Sequence, residues 1–197
     1  MKISFLNKVF QLIAATVIIS MFFTSCGKVS DDENVLLRTF NRTVTNTTGG
    51  FLVDSLDING DAYVDAAFLI YWSTSSDSAL CGLIGRDGSS SLVDSTQHFG
   101  SLLLSKPLGK SEVPVLLNPA KAEWWKRAFL ASRVSAVTVG IAGAGEKYIP
   151  LAIENPITSK YHYGWIRVSL SADLKTLQII DGAYSFIPGV PIPMGAK

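Results

Sequence analysis

The stretch YHYGWIRVSL, residues 161–170, decides the fold class. Side chains along a β-strand point alternately to its two faces. One face of this stretch carries Ile166, Val168 and Leu170, which is typical of a surface that packs on a core. The other face carries Tyr161, Tyr163, Trp165 and Arg167. We predict a strand whose second face is either a covered packing layer, which we favour, or an open aromatic ligand face that could stack on sugar rings.

Similar short apolar segments recur along the chain, separated by turn signals such as RDGSSS, AGAGE and SADLK. Many short strands at such spacing favour a sandwich or a closed sheet. The predicted strands are FLVDSLDI (51–58), AAFLIYWST (66–74), SALCGLIG (78–85), SLLLS (101–105), VPVLL (113–117), VSAVTVGIA (134–142), KYIPLAIE (147–154) and TLQIIDGAY (176–184).

One segment, NPAKAEWWKRAFLASR (118–133), departs from this pattern. Asn118 can cap a helix and Pro119 suits the first helical position. Ala122, Trp125, Ala128 and Phe129 then recur at helical spacing. We predict a helix over residues 119–132, with Trp124 and Trp125 as packing residues. The expected fold is therefore all-β: a single β-sandwich, jelly-roll-like, with one short inserted helix.

Composition excludes some classes of function. The 197 residues include 17 basic and 16 acidic residues, without any cluster of Lys or Arg. This balance argues against nucleic acid as a partner. Charged residues make up only 17% of the chain, and Ser, Thr, Gly, Val, Ile and Leu are abundant. Such a composition suits an extracellular β protein better than a helical one.

The N-terminus reads as a targeting signal. Behind Lys2 and Lys8, residues 9–23 (VFQLIAATVIISMFF) carry no charge, as in a signal peptide. A membrane span needs about 20 apolar residues, so this run is short for one. The following Phe-Thr-Ser-Cys (23–26) resembles a bacterial lipobox, with Phe23 where Leu is usual. The resemblance implies that Cys26 carries lipid and that the chain is cut before it. An uncleaved anchor helix and a plain secretory signal are the alternatives.

Acidic residues lie close behind Cys26, in the run Ser30-Asp31-Asp32-Glu33. The run resembles the export signal that sends some lipoproteins of Gram-negative bacteria to the outer face of the outer membrane; a solvated charge run is the alternative. We expect a lipid-anchored outer-membrane protein, with surface exposure favoured over the periplasm. The expected organisation is a signal peptide at 1–25, a tether at 26–47 and the β-sandwich domain at 48–197.

Cys81, in SALCGLIG, has no disulfide partner if Cys26 is lipidated. We interpret it as a small buried apolar residue. A reactive thiol is the alternative, but no Lys, Arg or His stands beside Cys81 to lower its pKa.

The segment LDINGDAYVDAAFLI (56–70) is the strongest chemical motif. Oxygen ligands arranged around a tight loop are what Ca²⁺ requires. The loop resembles those of dockerin, integrin-type and similar extracellular calcium repeats, with Ala62 where Gly is usual and Phe68 where an EF-hand has Glu. If Ca²⁺ is bound, its expected role is structural. A β-turn with Asp and Asn side chains bonded to the backbone is the alternative. The ligands would be Asp57, Asn59, Asp61, Asp65 and the carbonyl of Tyr63.

The C-terminal block, together with the aspartate loop, resembles a group of secreted bacterial β domains without an assigned activity. Its elements are Tyr163-Gly164-Trp165, Ile180-Asp181-Gly182-Ala183-Tyr184 and Pro188-Gly189-Val190-Pro191-Ile192. The resemblance covers most of residues 50–194 and implies a fold and a location rather than a mechanism.

The sequence contains little that points to catalysis. The chain has no G-x-S-x-G, H-E-x-x-H, Walker or G-x-G-x-x-G motif. His98 and His162 have no neighbouring nucleophile motif, and His162 falls on the core-side face of its strand. We therefore expect a noncatalytic structural or binding module of the cell envelope, whose partners include the membrane and a polysaccharide or envelope protein. A polysaccharide-acting hydrolase with unnamed carboxylates is the alternative.

Overall fold

A computed structural model describes residues 34–86, 88–99, 101–116 and 123–196, with the backbone alone at residues 98 and 99. Within these residues the chain forms strands and connecting turns and no helix, so this part offers no helical segment that could cross a membrane. The strands are β1 (Val35–Thr45), β2 (Gly50–Leu56), β3 (Ala66–Trp72), β4 (Ser78–Gly85), β5 (Ser90–Phe99), β6 (Leu102–Ser105), β7 (Trp124–Trp125), β8 (Arg127–Val134), β9 (Val137–Gly140), β10 (Glu146–Glu154), β11 (Tyr161–Leu170) and β12 (Thr176–Ser185).

The strands form one continuous mixed sheet. Their order is β1-β12-β11-β10-β5-β6-β8-β4-β3-β2, with β7 on β5 and β9 on β8. The β6–β8 pair is parallel. β5 joins the two halves of the sheet, because Ser90 and Ser91 pair with β10 while Val93, Asp94, His98 and Phe99 pair with β6. The predicted all-β class is confirmed. The prediction of a single jelly-roll-like sandwich is not confirmed, because β5 belongs to both halves of the sheet.

The sheet curves until its first and last strands face each other. The Arg38 Nη1 donates to the carbonyl oxygen of Asp57, just after β2, at 2.8 Å. The Arg42 Nη1 donates to the carbonyl oxygen of Ser55 at 3.1 Å. Asn46, which follows β1, donates from its side chain to the carbonyls of Gly50 and Ile70. Side chains on β1, and that of Asn46 just after it, therefore bridge the gap between the edge strands β1 and β2. The sheet is nearly closed.

A single main core lies inside this curved sheet. Both halves supply it: Phe68, Leu83 and Leu130 come from β3, β4 and β8. Ile149, Ile166 and Ile179 come from β10, β11 and β12. The alternation predicted for residues 161–170 is therefore correct, since Ile166, Val168 and Leu170 are all buried in this cluster. Burial of this shared apolar surface is the main stabilising contribution to the fold.

Four sequence predictions need correction. The predicted strand over residues 134–142 is interrupted, since Val134 ends β8, residues 135 and 136 form a turn and β9 spans Val137–Gly140. Residues 35–45, expected in the tether, form β1 and pair with β12 from Val35 to Thr45. Residues 113–116 of the predicted strand VPVLL are not a strand. The helix over residues 119–132 is wrong where the structure describes it, since Trp124–Trp125 and Arg127–Val134 are strands; residues 119–122 lie outside the described residues. Five consecutive residues of β8 are buried, and a strand buried on both faces has no period that distinguishes it from a helix.

Candidate functional site

The proposed ligand face of β11 is mostly covered. Tyr163 and Trp165 are 3% and 2% exposed. Trp165 packs with Val35, Ile192 and Met194. Its ring meets Tyr148 edge-on at 5.2 Å between ring centres. The C-terminal segment thus covers the strand, and the packing alternative describes these two aromatic residues.

Arg167, the fourth residue of that face, is held by carboxylates. Its Nε donates to Asp181 Oδ1 at 2.8 Å and its Nη1 donates to Glu146 Oε2 at 2.9 Å. The hydrogen bond to Asp181 is the largest cause that raises the pKa of Arg167. The Arg167 Nη2 also donates to Asp181 Oδ2 at 2.5 Å, and a forked pair with one carboxylate fixes the guanidinium in place. Arg167 therefore ties β11 to its neighbours, β10 and β12.

Tyr161 alone of the four residues lines an open pocket. The pocket has a volume of about 510 Å³. Its described lining comprises Gly88, Ser90, Ser101, Trp124, Trp125, Lys126, Arg127 and Tyr161. Two tryptophans, one tyrosine, two basic residues and two serines therefore contribute to the lining of one cavity.

Both tryptophans lie on the short strand β7, which borders this pocket. β7 pairs with β5, with Trp124 opposite Leu92 and Trp125 opposite Ser91. Alternation sends the two indoles to different sides. Trp124 is buried and meets Tyr163 at 5.7 Å between ring centres, while Trp125 is 43% exposed. Trp124 thus packs inward against Tyr163, and Trp125 is the exposed tryptophan of the pocket lining.

A carboxylate stands at the edge of the pocket. The Tyr161 hydroxyl donates to Glu154 Oε2 at 3.4 Å. The pKa of Tyr161 is raised, first by burial and then by the negative charge of Glu154. Glu154 also packs over Gly88, where a Cβ would lie only 1.9 Å from its Oε2. The glycine therefore leaves space for the Glu154 side chain beside the cavity.

This pocket was missed in the sequence, where Trp124 and Trp125 were assigned to a helix as packing residues. The usable signal was the pair itself. Two adjacent tryptophans followed by Lys126 and Arg127 suit a short strand at a surface, because only one of the pair can face inward. The sequence could not show that β5 and β11 bring Ser90 and Tyr161 to the same place.

The aspartate loop connects β2 to β3 and is closed by its own side chains. Asp57 accepts from the backbone N–H groups of Gly60 (2.6 Å) and Ala62 (3.1 Å). Asp61 Oδ1 accepts from the N–H of Tyr63 at 2.8 Å, and Asn59 Oδ1 from the N–H of Asp61 at 3.0 Å. Ala62 adopts a left-handed φ of 70°. These bonds are those of Asx turns. Among the described residues, no group of three or more His, Cys, Asp or Glu side chains is arranged to hold a metal ion.

Asp65, the last acid of the loop, is buried at 6% exposure. Its Oδ2 accepts from the N–H groups of Ile58 (2.7 Å) and Asn59 (3.2 Å). Burial raises the pKa of Asp65 from 3.8 to about 6, and the charges of Asp61 and Asp57 add to this rise, while the two N–H bonds oppose it. Protonation is therefore easier in the folded chain than in the unfolded chain.

Tyr184 links the loop to the C-terminal block. Its pKa is raised to about 12, first by burial and then by the charge of Asp65, and a hydrogen bond with the Asn59 side chain opposes the rise. The last residues of β12, which include Tyr184, thus lie against the aspartate loop. Two elements that the sequence resemblance groups together are neighbours in space.

A pH dependence follows for Asp65. Since its folded pKa exceeds its unfolded pKa, the native state binds more protons between pH 4 and 6, and stability falls as pH rises through that window. Across this window, we expect the free energy of unfolding of the wild type to fall by roughly 1–3 kcal/mol more than that of Asp65→Asn. The measurement is urea unfolding of both proteins from pH 4 to 7.

The matched control is Asp173→Asn. The Ser171 hydroxyl and the backbone N–H of Lys175 lower the pKa of Asp173. Its contribution is lost only as pH falls below about 4, outside the measured range, so this variant should keep the wild-type slope between pH 4 and 7. Equal slopes for wild type and Asp65→Asn would contradict the assignment.

The remaining titratable candidates are structural or lie outside the described side chains. His162 is 7% exposed, and its Nδ1 lies 2.9 Å from the carbonyl oxygen of Ser185. Cys81 is fully buried, and burial raises its thiol pKa to about 12, which agrees with a small apolar role. The His98 side chain and Cys26 lie outside the described residues.

Comparisons with known proteins give no family for this chain. No family model, no curated protein and no solved structure matches it.

Proposed function

We propose that this protein is a noncatalytic, lipid-anchored module of the cell envelope that binds carbohydrate in the pocket between Trp125 and Tyr161. The observation that carries the proposal is this cavity of about 510 Å³, with an exposed indole as one wall. Aromatic residues combine a flat apolar face with a polar edge. A pocket with apolar walls and a few convergent polar groups is the default candidate for a ligand site.

The lining favours a sugar over a purely apolar ligand. Trp125 and Tyr161 offer flat faces for the C–H side of a pyranose ring, and Ser90 and Ser101 offer hydroxyl groups for hydrogen bonds. Lys126 and Arg127 add positive charge at the rim of the cavity, which favours acidic sugars through charge complementarity. We therefore expect uronate-containing glycans to bind more tightly than neutral ones.

Trp125→Ala is expected to weaken glycan binding at least about ten-fold, since buried tryptophan contacts dominate binding energies and ten-fold equals about 1.4 kcal/mol. A glycan array first identifies a glycan that the wild type binds. Isothermal titration calorimetry with that glycan then measures the affinity of both proteins. Trp125 is half-exposed, so the variant should keep its fold.

Phe51→Ala is the matched control. Phe51 is also an exposed aromatic residue, at 73%, but it lies on β2 and does not line the pocket. It should bind as the wild type does. Equal binding by wild type and Trp125→Ala, or no binding of any glycan by the wild type, would contradict the proposal.

The alternative function is a polysaccharide hydrolase. Glycosidases use two carboxyl groups about 5–9.5 Å apart across the substrate. The described lining of the pocket contains no carboxylate, and Glu154 contributes one at its edge through Tyr161. Release of reducing ends from a polysaccharide by the wild type but not by Glu154→Gln would favour the hydrolase.

The lipid anchor at Cys26 and the outer-membrane location rest on the sequence. The apolar run, the Phe-Thr-Ser-Cys segment and the acidic cluster support them. Intact mass of protein extracted from membranes is the test. A chain that begins at Cys26 and carries acyl mass is the expected result.

Structural calcium is a separate proposal for the aspartate loop. It is supported by the close carboxylates of Asp57, Asp61 and Asp65, whose mutual repulsion a cation would relieve. A cation would have to replace bonds from backbone N–H groups to these oxygens, so affinity in the weak extracellular range of ~10⁻⁴–10⁻³ M is expected. The test is calorimetric melting with and without millimolar Ca²⁺. An unchanged melting temperature would contradict calcium binding by the loop.

A further inference from the structure

Four apolar side chains lie exposed at one end of the sheet. They are Ile157 (90% exposed), Phe186 (49%), Ile187 (39%) and Val190 (46%), and we call them the apolar rim. Ile157 lies in the turn between β10 and β11, and the other three follow the end of β12. The N–H of Gly189 donates to the carbonyl oxygen of Tyr161 at 2.8 Å, which holds the two segments together.

The chain enters the fold at this same end. The N–H of Phe186 donates to the carbonyl oxygen of Asn34, the first described residue, at 2.8 Å. Val35 then pairs with Ser185 at the start of β1. The segment that comes from Cys26 therefore reaches the body directly beside Phe186.

The length of that segment limits how far this end can be from the anchor. Asn34 is eight residues after Cys26, so the connection spans at most about 29 Å when fully extended. A ten-residue strand such as β11 is itself about 33 Å long. The tethered end is consequently the end that a membrane anchored at Cys26 would meet first.

We infer that the apolar rim docks on the phospholipid bilayer that holds the anchor. The inference rests on the proposed lipidation of Cys26. Exposed apolar side chains beside a lipid anchor add a second membrane signal, and a body with two signals is held more stably than a body with one. Charged residues beside the rim have both signs, since Lys160 lies in the same turn as Ile157 and Glu154 accepts a hydrogen bond from the Tyr161 hydroxyl. The contact is therefore apolar and does not require anionic lipid.

The opposite end of the sheet supplies a matched control. Val137 begins β9, follows the hairpin after Val134 and is 66% exposed. Val134 pairs with Ser78 at the start of β4, whereas the end of β4 lies beside the aspartate loop, since the N–H of Arg86 donates to the carbonyl of Asp65. Val137 thus faces away from the tethered end.

The experiment uses the full chain, expressed with its own signal and extracted from membranes. Ile157→Cys, Val190→Cys and Val137→Cys are each labelled with a thiol-reactive fluorophore. Cys81 is fully buried, and an acylated Cys26 has no free thiol, so the introduced cysteine is the reactive one. The labelled proteins are reconstituted into phosphatidylcholine vesicles, and quenching by aqueous iodide is measured.

We expect iodide to quench the labels at positions 157 and 190 about three-fold less than the label at 137, as expected for side chains in the headgroup region. Exposure in the free protein predicts the opposite order for positions 157 and 137. Equal quenching at all three positions overturns the inference, as does protection at 157 that requires phosphatidylglycerol in the vesicles.

Intact mass of the same samples separates this inference from the proposed anchor. If the protein is acylated but all three labels are quenched equally, the lipid anchor is supported and the docking inference is contradicted. If the protein carries no acyl mass, both the anchor and the docking that depends on it are contradicted.

Discussion

Replacing Phe68 with alanine is expected to lower the free energy of unfolding by about 3–5 kcal/mol. Phe68 lies in the middle of β3 and is 1% exposed, inside the core shared by both halves of the sheet. Its removal loses the transfer free energy of the ring and leaves a cavity that strands on two sides cannot collapse to fill. Total stabilities of domains are about 5–15 kcal/mol, so a large part would be lost. Urea unfolding followed by tryptophan fluorescence measures the change.

Phe51→Ala is the control for this substitution. Phe51 lies on the neighbouring strand β2 and is 73% exposed, and its ring centre lies 4.7 Å from that of Tyr71. The same change of side chain should cost less than about 1 kcal/mol there. Equal losses at positions 51 and 68 would mean that the inner surface of β3 is not the core.

Gly164→Val is expected to destabilise the protein by about 3 kcal/mol or more, because overpacking against the backbone has no soft neighbour to yield. A Cβ at Gly164 would lie 2.4 Å from the carbonyl oxygen of Ala183 on β12. Gly182 shows the same close approach from the other side, with a Cβ position 2.8 Å from the carbonyl oxygen of Trp165. The glycine of the Tyr-Gly-Trp element thus allows β11 and β12 to pack closely. Thermal melting checks the prediction.

Gly109→Val controls for the general effect of replacing glycine. The three atoms nearest to a Cβ at Gly109 all belong to the Glu112 side chain, at 3.4 Å or more, and a flexible side chain of this kind can shift by a few tenths of an ångström. We expect a change in the melting temperature of less than ~2–4 °C, which corresponds to about 1 kcal/mol in a domain of this size. A Gly164→Val protein as stable as Gly109→Val would show that the close approach of β11 and β12 is not required.

The strands that could be predicted from sequence are those with one apolar and one polar face or a clear apolar run between turn signals. β4 and β10 to β12 were found almost at their observed limits. β1 was missed, because most of its residues are partly or fully exposed and its VLLRTFNRTVT sequence mixes polar and apolar residues without a clean period. Its position is decided by pairing with β12 across more than 130 residues of sequence, which no local pattern records.

The lining of the candidate pocket was anticipated only in part, for a related reason. Tyr161 was selected from the alternation of β11, and it does line the pocket. The same alternation selected Trp165, which is covered by Ile192 and Met194 from the C-terminal segment. Alternation tells which residues share a face but not whether another segment covers that face. Trp125 could not be placed, since its strand has two residues and exists only through pairing with β5.

The arginines of β1 have a consequence for how this protein behaves at high concentration. The outer strands of an open sheet offer unpaired carbonyl groups that can recruit another chain and start aggregation. Here Arg38 and Arg42 occupy the carbonyls of Asp57 and Ser55 at the free side of β2, and Arg42 also pairs with Asp54. These charged side chains therefore lie where the strand of a second molecule would have to pair. They block the free edge of β2 and so oppose polymerisation of the protein through edge-strand pairing.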